Sequence, residues 1–274
     1  MTNGPKGRAA GSAGSALLAA LLLAASLLAL AGPAAAGPGE PPPADGPLER
    51  YALDEDPFDE LDPFDGADAS YGEIADPLEP YNRVMFRIND KLIRYFIGPV
   101  LMGYSIVVPE PARVGVRRFF SNLTTPVRLV NSLLQLKGRA AGVELARFLI
   151  NSTLGVGGLL DPAEESFDLL KQDEDFGQTL GFYGIGPGVY IIWPILGPSS
   201  VRDTVGLAGD LALFPVFYLY PDDLLVGFGT RFYGSFNSAS LDLSTYTALM
   251  EGAFDPYVFF RNAYHQKRRS AIER

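Results

Sequence analysis

A mostly helical fold is predicted by three features of this 274-residue chain. Three Asp-Pro pairs, Asp76-Pro77, Asp161-Pro162 and Asp255-Pro256, each offer a capping carboxylate followed by a proline in the first turn, where its missing N–H is harmless. Between Tyr81 and Phe96 the residues Tyr81, Val84, Met85, Ile88, Leu92, Tyr95 and Phe96 recur at helical spacing, with Arg83, Arg87, Lys91 and Arg94 on the other side. From Phe176 to Val201 the chain runs 26 residues without a charge, yet six glycines and three prolines forbid an unbroken membrane-crossing helix there. Apolar sequence of this kind fits irregular backbone inside protein-lined membrane structure. A buried core loop of a soluble protein is the competing reading.

Residues 1–36 read as an export signal. Lys6 and Arg8 give a positive start, Leu17 to Ala31 is apolar apart from Ser26, and Ala34-Ala35-Ala36 before Gly37 makes a small-residue cleavage site between Ala36 and Gly37. Residues 37–75 follow as an acidic, Pro-rich tail, with twelve Asp and Glu against Arg50 and a net charge of −11. Repulsion and proline predict disorder there, with Phe58 and Phe64 in an imperfect repeat as a candidate partner motif. The body, residues 76–274, holds twenty acids against nineteen bases, so the acidity of the chain belongs to its tail.

Within the body, Glu79 and Glu164 stand three residues after capping aspartates, as in a capping box. Residues 81–147 carry eleven bases against Asp90, Glu110 and Glu144, a stretch suited to anionic headgroups or to a solvated helix face. Nucleic acid is excluded as partner by the export signal and the lack of a nucleic-acid motif. The sign reverses over 161–175, with seven acids against Lys171, and only seven charges fall in 176–250. Pro215 and Pro221 divide the apolar stretch Leu211–Phe228 into short pieces, and the last helix ends in Lys267, Arg268 and Arg269, expected in water. The one histidine, His265, is expected as a solvated surface residue, and no catalytic constellation, cofactor loop or metal-ligand spacing stands out. The chain has no cysteine, which removes disulfide and thiolate–metal chemistry.

Four ordered blocks carry a family resemblance. Glu174-Asp175-Phe176-Gly177-Gln178-Thr179-Leu180-Gly181, with Tyr183-Gly184-Ile185-Gly186 and Gly188-Val189-Tyr190, resembles the signature of the MlaA (VacJ) family, outer-membrane components of a phospholipid-trafficking system. Asp76-Pro77-Leu78-Glu79 with Tyr81-Asn82-Arg83 and Phe86 resembles the family's opening motif, and Arg147 to Gly155 with Gly157-Gly158 and Asp161-Pro162 its middle. Asp255-Pro256-Tyr257 with Arg261 and Ala263-Tyr264 resembles its end, so the likeness covers residues 74 to 268.

The resemblance implies a ring-like or doughnut-like helical bundle embedded in the outer membrane from the periplasmic side, with an amphipathic central channel. It implies a non-enzymatic role without cofactor: phospholipid leaves the outer leaflet and passes to a periplasmic lipid carrier, MlaC, in association with a trimeric porin. Family members are commonly lipoproteins, but Pro33 follows Leu30-Ala31-Gly32 where the lipidated cysteine would stand, so the body is expected to hold the membrane itself. Asn82, Phe86, Asn151, Phe176, Gln178 and Tyr183 are then expected as channel or headgroup contacts, and Gly177, Gly181, Gly184 and Gly186 as a pore wall or hinge. Core hydrogen bonding competes for the two asparagines and helix packing for the glycines. Two other functions stay open: a surface-interaction or virulence protein of the envelope, and a secreted lipid-acting hydrolase.

Overall fold

The computed structural model describes residues 75–274. The expected export signal, its cleavage point at Ala36 and Gly37, and the acidic tail up to residue 74 lie outside the described residues. The first helix, α1 (Glu79–Leu92), begins later than its Asp-Pro pair suggested. Asp76 does not cap it; its Oδ1 instead accepts the Leu78 N–H at 3.2 Å and the Asn82 side-chain amide at 2.9 Å, closing a turn before the helix. A π-helical turn, Ile93–Ile97, joins α1 to α2 (Gly98–Val107). Its cause is local: Pro99 has no N–H to donate, and the Gly98 N–H reaches back five residues to Ile93 O.

After Pro109 the chain turns by 111° into α3 (Glu110–Leu123). Then come α4 (Thr125–Leu134), α5 (Gly138–Thr153) and the single turn α6 (Pro162–Glu165). The uncharged run is not all helix. It makes α7 (Phe176–Phe182) and an antiparallel hairpin of β1 (Tyr190–Trp193) and β2 (Gly197–Ser200), pairing Tyr190 with Ser200 and Trp193 with Gly197. The remaining helices are α8 (Val201–Leu213), α9 (Pro215–Leu219), α10 (Leu224–Gly252) and α11 (Pro256–Glu273), cut at Pro215 and Pro221 as expected. Asp161 and Asp255 do cap, accepting the N–H of Glu164 and Val258. Asp175, Ser200 and Asp223 cap α7, α8 and α10 in the same way.

The packing is partly inverted relative to a water-soluble bundle, around a small apolar cluster of Tyr190, Ile192 and Tyr257. Asn82, Asn131, Ser132, Glu144 and Asn237 are wholly buried, whereas Phe96, Ile106, Val107, Leu225 and Phe232 are more than two-thirds exposed. Of the helical stripe, Tyr81, Val84, Ile88, Tyr95 and Phe96 are exposed, whereas Met85 packs against the apolar cluster and Leu92 is half-buried. The buried residues of α1 are Asn82 and Asn89. No single described helix is long and apolar enough to cross a membrane, although the bent pair 79–107 and 110–123 meets that test together.

The basic stretch and the acidic stretch turn out to be counter-ions for each other. Arg147 pairs with Asp161 (2.5 Å) and Glu164 (3.1 Å), Arg118 with Glu165 (2.9 Å) and Lys137 with Glu174 (2.7 Å). Several cations read from sequence as headgroup contacts are therefore spent inside the fold.

Candidate lipid-contact site

Two asparagines on α1 finish the free edge of the hairpin. Asn82 donates to Tyr190 O (3.1 Å) and accepts from Ile192 N (2.8 Å); Asn89 donates to Trp193 O (2.9 Å) and accepts from Ile195 N (2.9 Å). Seven helical residues rise about 10.5 Å, and three strand residues rise about 10 Å, so side chains seven apart meet strand positions three apart. Each carboxamide imitates a neighbouring strand. The hairpin tip, Pro194-Ile195-Leu196, is exposed and apolar, and Asn89 satisfies the carbonyl just before it and an N–H within it.

The amide of Asn82, expected as a channel or headgroup contact, is buried and occupied by these bonds and by Asp76. Phe86 is half-buried, in edge contact with Tyr257 at 5.9 Å and beside Phe260 at 5.9 Å. Asn82→Leu is accordingly expected to lose protein, not transport alone. It would strand a buried N–H and a buried C=O, each costing about 1–3 kcal/mol. A urea midpoint equal to wild type in detergent would contradict this.

Asn151 is also internal. Its Nδ2 donates to Asp161 Oδ1 at 2.7 Å and its Oδ1 accepts the Ala163 N–H at 3.0 Å, fixing α6 against α5. The carboxamide expected as a channel contact is thus occupied within the fold.

The glycine-rich signature packs backbone against backbone. A Cβ on Gly206 of α8 would stand 2.5 Å from Gly177 N and 2.6 Å from Gly177 Cα, so only glycine permits the α7–α8 approach. An ionic clasp closes over this seam from α11. Arg268 donates to both oxygens of Asp175 (2.6 and 3.0 Å) and to Asp203 Oδ1 (2.8 Å), while Arg202 Nε (3.0 Å) and the Tyr264 hydroxyl also donate to Asp203. Burial alone would raise the Asp203 carboxyl, but the Arg268 charge and these hydrogen bonds hold it below the usual range. The basic end of α11, expected in water, thus contributes Arg268 to a half-buried cluster. His265, expected on the surface, lies against Tyr190 at 5.2 Å and Tyr264 at 5.4 Å, and burial lowers its pKa.

The rest of the signature divides between interior and surface. Gln178 is buried, with its amide donating to Asp173 O at 2.9 Å. The Phe176 N–H donates to Asp210 Oδ1 at 3.0 Å, and its half-buried ring lies where a Cβ on Gly209 would be. A Cβ on Gly181 would meet Ile272 Cδ1 at 2.7 Å. Gly184 ends α7: at φ +83° its N–H bonds Gly181 O (2.9 Å) and the next N–H, of Ile185, bonds Leu180 O (3.0 Å), a Schellman closure. Beyond it the chain is open to the outside. Tyr183, Gly184, Ile185, Gly186, Pro187 and Gly188 are all exposed, with the Tyr183 hydroxyl donating to Leu134 O at 2.6 Å.

Chemically, the arrangement offers apolar exterior surface, an exposed glycine-rich segment and a polar interior. Among the described residues no cluster of three or more His, Asp and Glu is placed to hold a metal ion. Sequence reasoning missed Asn89, Asp203 and Asp210. The seven-residue interval from Asn82 to Asn89 was the available signal for the first.

A family model described as MlaA lipoprotein matches residues 74–271. The intermembrane phospholipid transport system lipoprotein MlaA of Haemophilus influenzae is 35% identical over 198 residues, spanning 71% of this chain and 78% of that protein. Its Escherichia coli K12 namesake is 35% identical over 196 residues, spanning 70% and 76%. A solved structure described as the structural basis for maintenance of bacterial outer membrane lipid asymmetry aligns with a TM-score of 0.64 at 32% identity, covering 72% of this chain and 99% of its own.

Proposed function

The chain belongs to the MlaA family, and on that premise we propose that it maintains outer-membrane lipid asymmetry by removing phospholipid from the outer leaflet. The observation that carries the reading is the inverted packing. Large exposed side chains on α1, α2, α9 and α10, among them Ile88, Ile106, Tyr218 and Leu225, would be costly in water and are suited to acyl chains. Buried asparagines, glutamines and ion pairs keep a polar interior beneath them. In this reading the body, residues 76–274, sits in the outer membrane from the periplasmic side, encloses an amphipathic passage and delivers lipid to a periplasmic carrier beside a trimeric porin. A headgroup following polar atoms avoids the several-kcal/mol penalty of entering hydrocarbon as a bare charge. The segments 1–36 and 37–75 serve export and spacing.

The test combines lipid and location. The protein, recovered from the outer-membrane fraction, is expected to carry phospholipid, to resist a carbonate wash, and on deletion of its gene to leave phospholipid accumulating in the outer leaflet. A wash-soluble, lipid-free protein whose deletion leaves asymmetry normal would overturn the proposal.

A further inference from the structure

Arg231, in the first third of α10, differs from the other internal arginines. Arg113, Arg128, Arg147, Arg202 and Arg268 all donate to carboxylates or carbonyls. Arg231 is half-buried, with Phe214 5.9 Å below its guanidinium, and has no hydrogen bond or ion pair with any described residue. Phe214, the residue under its guanidinium, is the C-cap of α8 and follows Asp210 by about one turn, so the Asp210 carboxylate acts on Arg231 through space without forming a salt bridge. Asp210 Oδ1 is occupied by Phe176 N and Asn131 Nδ2, but Oδ2 takes no hydrogen bond. Burial, with the Asp175 charge adding to it, pushes this carboxyl up to about 6. On either side of Arg231 along α10, Phe228 and Phe232 are exposed.

A desolvated guanidinium without a partner is unfavourable in an empty protein and favourable beside an anion. A cation and an anion held near each other yet unpaired present complementary charges to a ligand that carries both. We propose that Arg231 and Asp210 form a subsite that reads a zwitterionic phosphodiester headgroup, the guanidinium taking the phosphate and the Asp210 carboxylate taking the ammonium. The exposed Phe228 and Phe232 then lie beside the attached acyl chains. This inference rests on the transport reading above and deepens it to a headgroup class.

The test is native mass spectrometry of the full chain, purified in detergent and equilibrated with equal amounts of phosphatidylethanolamine and phosphatidylglycerol. Wild type is expected to bind the ethanolamine lipid in excess. Arg231→Gln should lower occupancy by both lipids about ten- to a hundredfold, the range for losing a hydrogen bond to a charged group, and Arg231→Lys should retain much of it. Asp210→Asn, which keeps an Oδ1 acceptor for Phe176 and Asn131, should lose only the ethanolamine lipid, so the preference moves toward phosphatidylglycerol. Glycerophosphoethanolamine added as a soluble competitor should displace little, since it lacks acyl chains; full displacement would assign the subsite to a free phosphodiester and overturn the lipid assignment. Arg231 makes no internal hydrogen bond, so its variants are expected to fold, as checked by circular dichroism. Unchanged occupancy in Arg231→Gln, or an unchanged lipid ratio in folded Asp210→Asn, would overturn the subsite. Absence of any phospholipid on wild type would instead count against the transport reading.

Discussion

Glu144→Ala is expected to lower the unfolding free energy by about 3–5 kcal/mol and to deplete the protein from the envelope. Glu144 is wholly buried; it accepts Arg128 Nε at 2.7 Å through one oxygen and the Gln172 N–H at 2.7 Å through the other. Alanine would leave the Arg128 charge desolvated and the Gln172 N–H without its acceptor. The other Arg128 donors, to Ser121 O and to the hydroxyls of Thr124 and Thr125, hold the guanidinium in place, so it cannot swing out to water. Because domains are stable by only about 5–15 kcal/mol, this loss is a large share of the total. Replacing both partners by apolar residues, Arg128→Met with Glu144→Leu, is expected to recover part of the stability, since no charge is then left buried. Urea unfolding followed by circular dichroism in detergent measures all three variants. A Glu144→Ala midpoint within error of wild type would show that the pair is solvated and the packing looser than described.

The sequence made local structure legible where a single residue type decides it. Asp161 and Asp255 cap, and Pro215 and Pro221 break helices, because capping and ring sterics act within one turn. The family signature gave the fold beyond that. What stayed hidden were relations between distant segments. The stripe from Tyr81 to Phe96 gave the right helix, but periodicity does not say which side of a helix meets protein, and here the buried side carries Asn82 and Asn89. Composition gave the signs of the segments 81–147 and 161–175 but not that Arg147, Arg118 and Lys137 neutralise Asp161, Glu165 and Glu174. The strand edge completed by Asn82 and Asn89 needed the hairpin to be known, and the glycines and prolines of that run masked it. Arg268 and His265 were placed in water because their neighbours Lys267 and Arg269 belong there, yet a helix turns each successive residue by a large angle.

Gly206→Val is expected to unseat α7, at about 3 kcal/mol, the upper part of the range for overpacking. The new Cβ would fall 2.5 Å from Gly177 N, and a backbone atom cannot rotate away as a side chain can. Nor can α7 retreat freely, because Arg268 ties Asp175 to Asp203 across the same seam. Lost function in this variant should therefore track lost protein, which is the packing account of the signature glycines. Gly186 separates that account from the proposed pore wall or hinge. A Cβ there meets nothing within 4 Å, and its φ is not in the left-handed region, so neither space nor backbone strain demands glycine. Gly186→Val should change stability by less than about 0.5 kcal/mol, as for an ordinary surface position. Any rise in outer-leaflet phospholipid at wild-type abundance would then report a need for freedom or room in the exposed segment 183–188. Gly184→Val lies between the two, since it has room but must adopt φ +83° at the Schellman closure, and its strain should appear as fraying of α7. Normal asymmetry in Gly186→Val, together with loss of protein in Gly206→Val, would assign Gly177 to the α7–α8 seam and withdraw the hinge at Gly186.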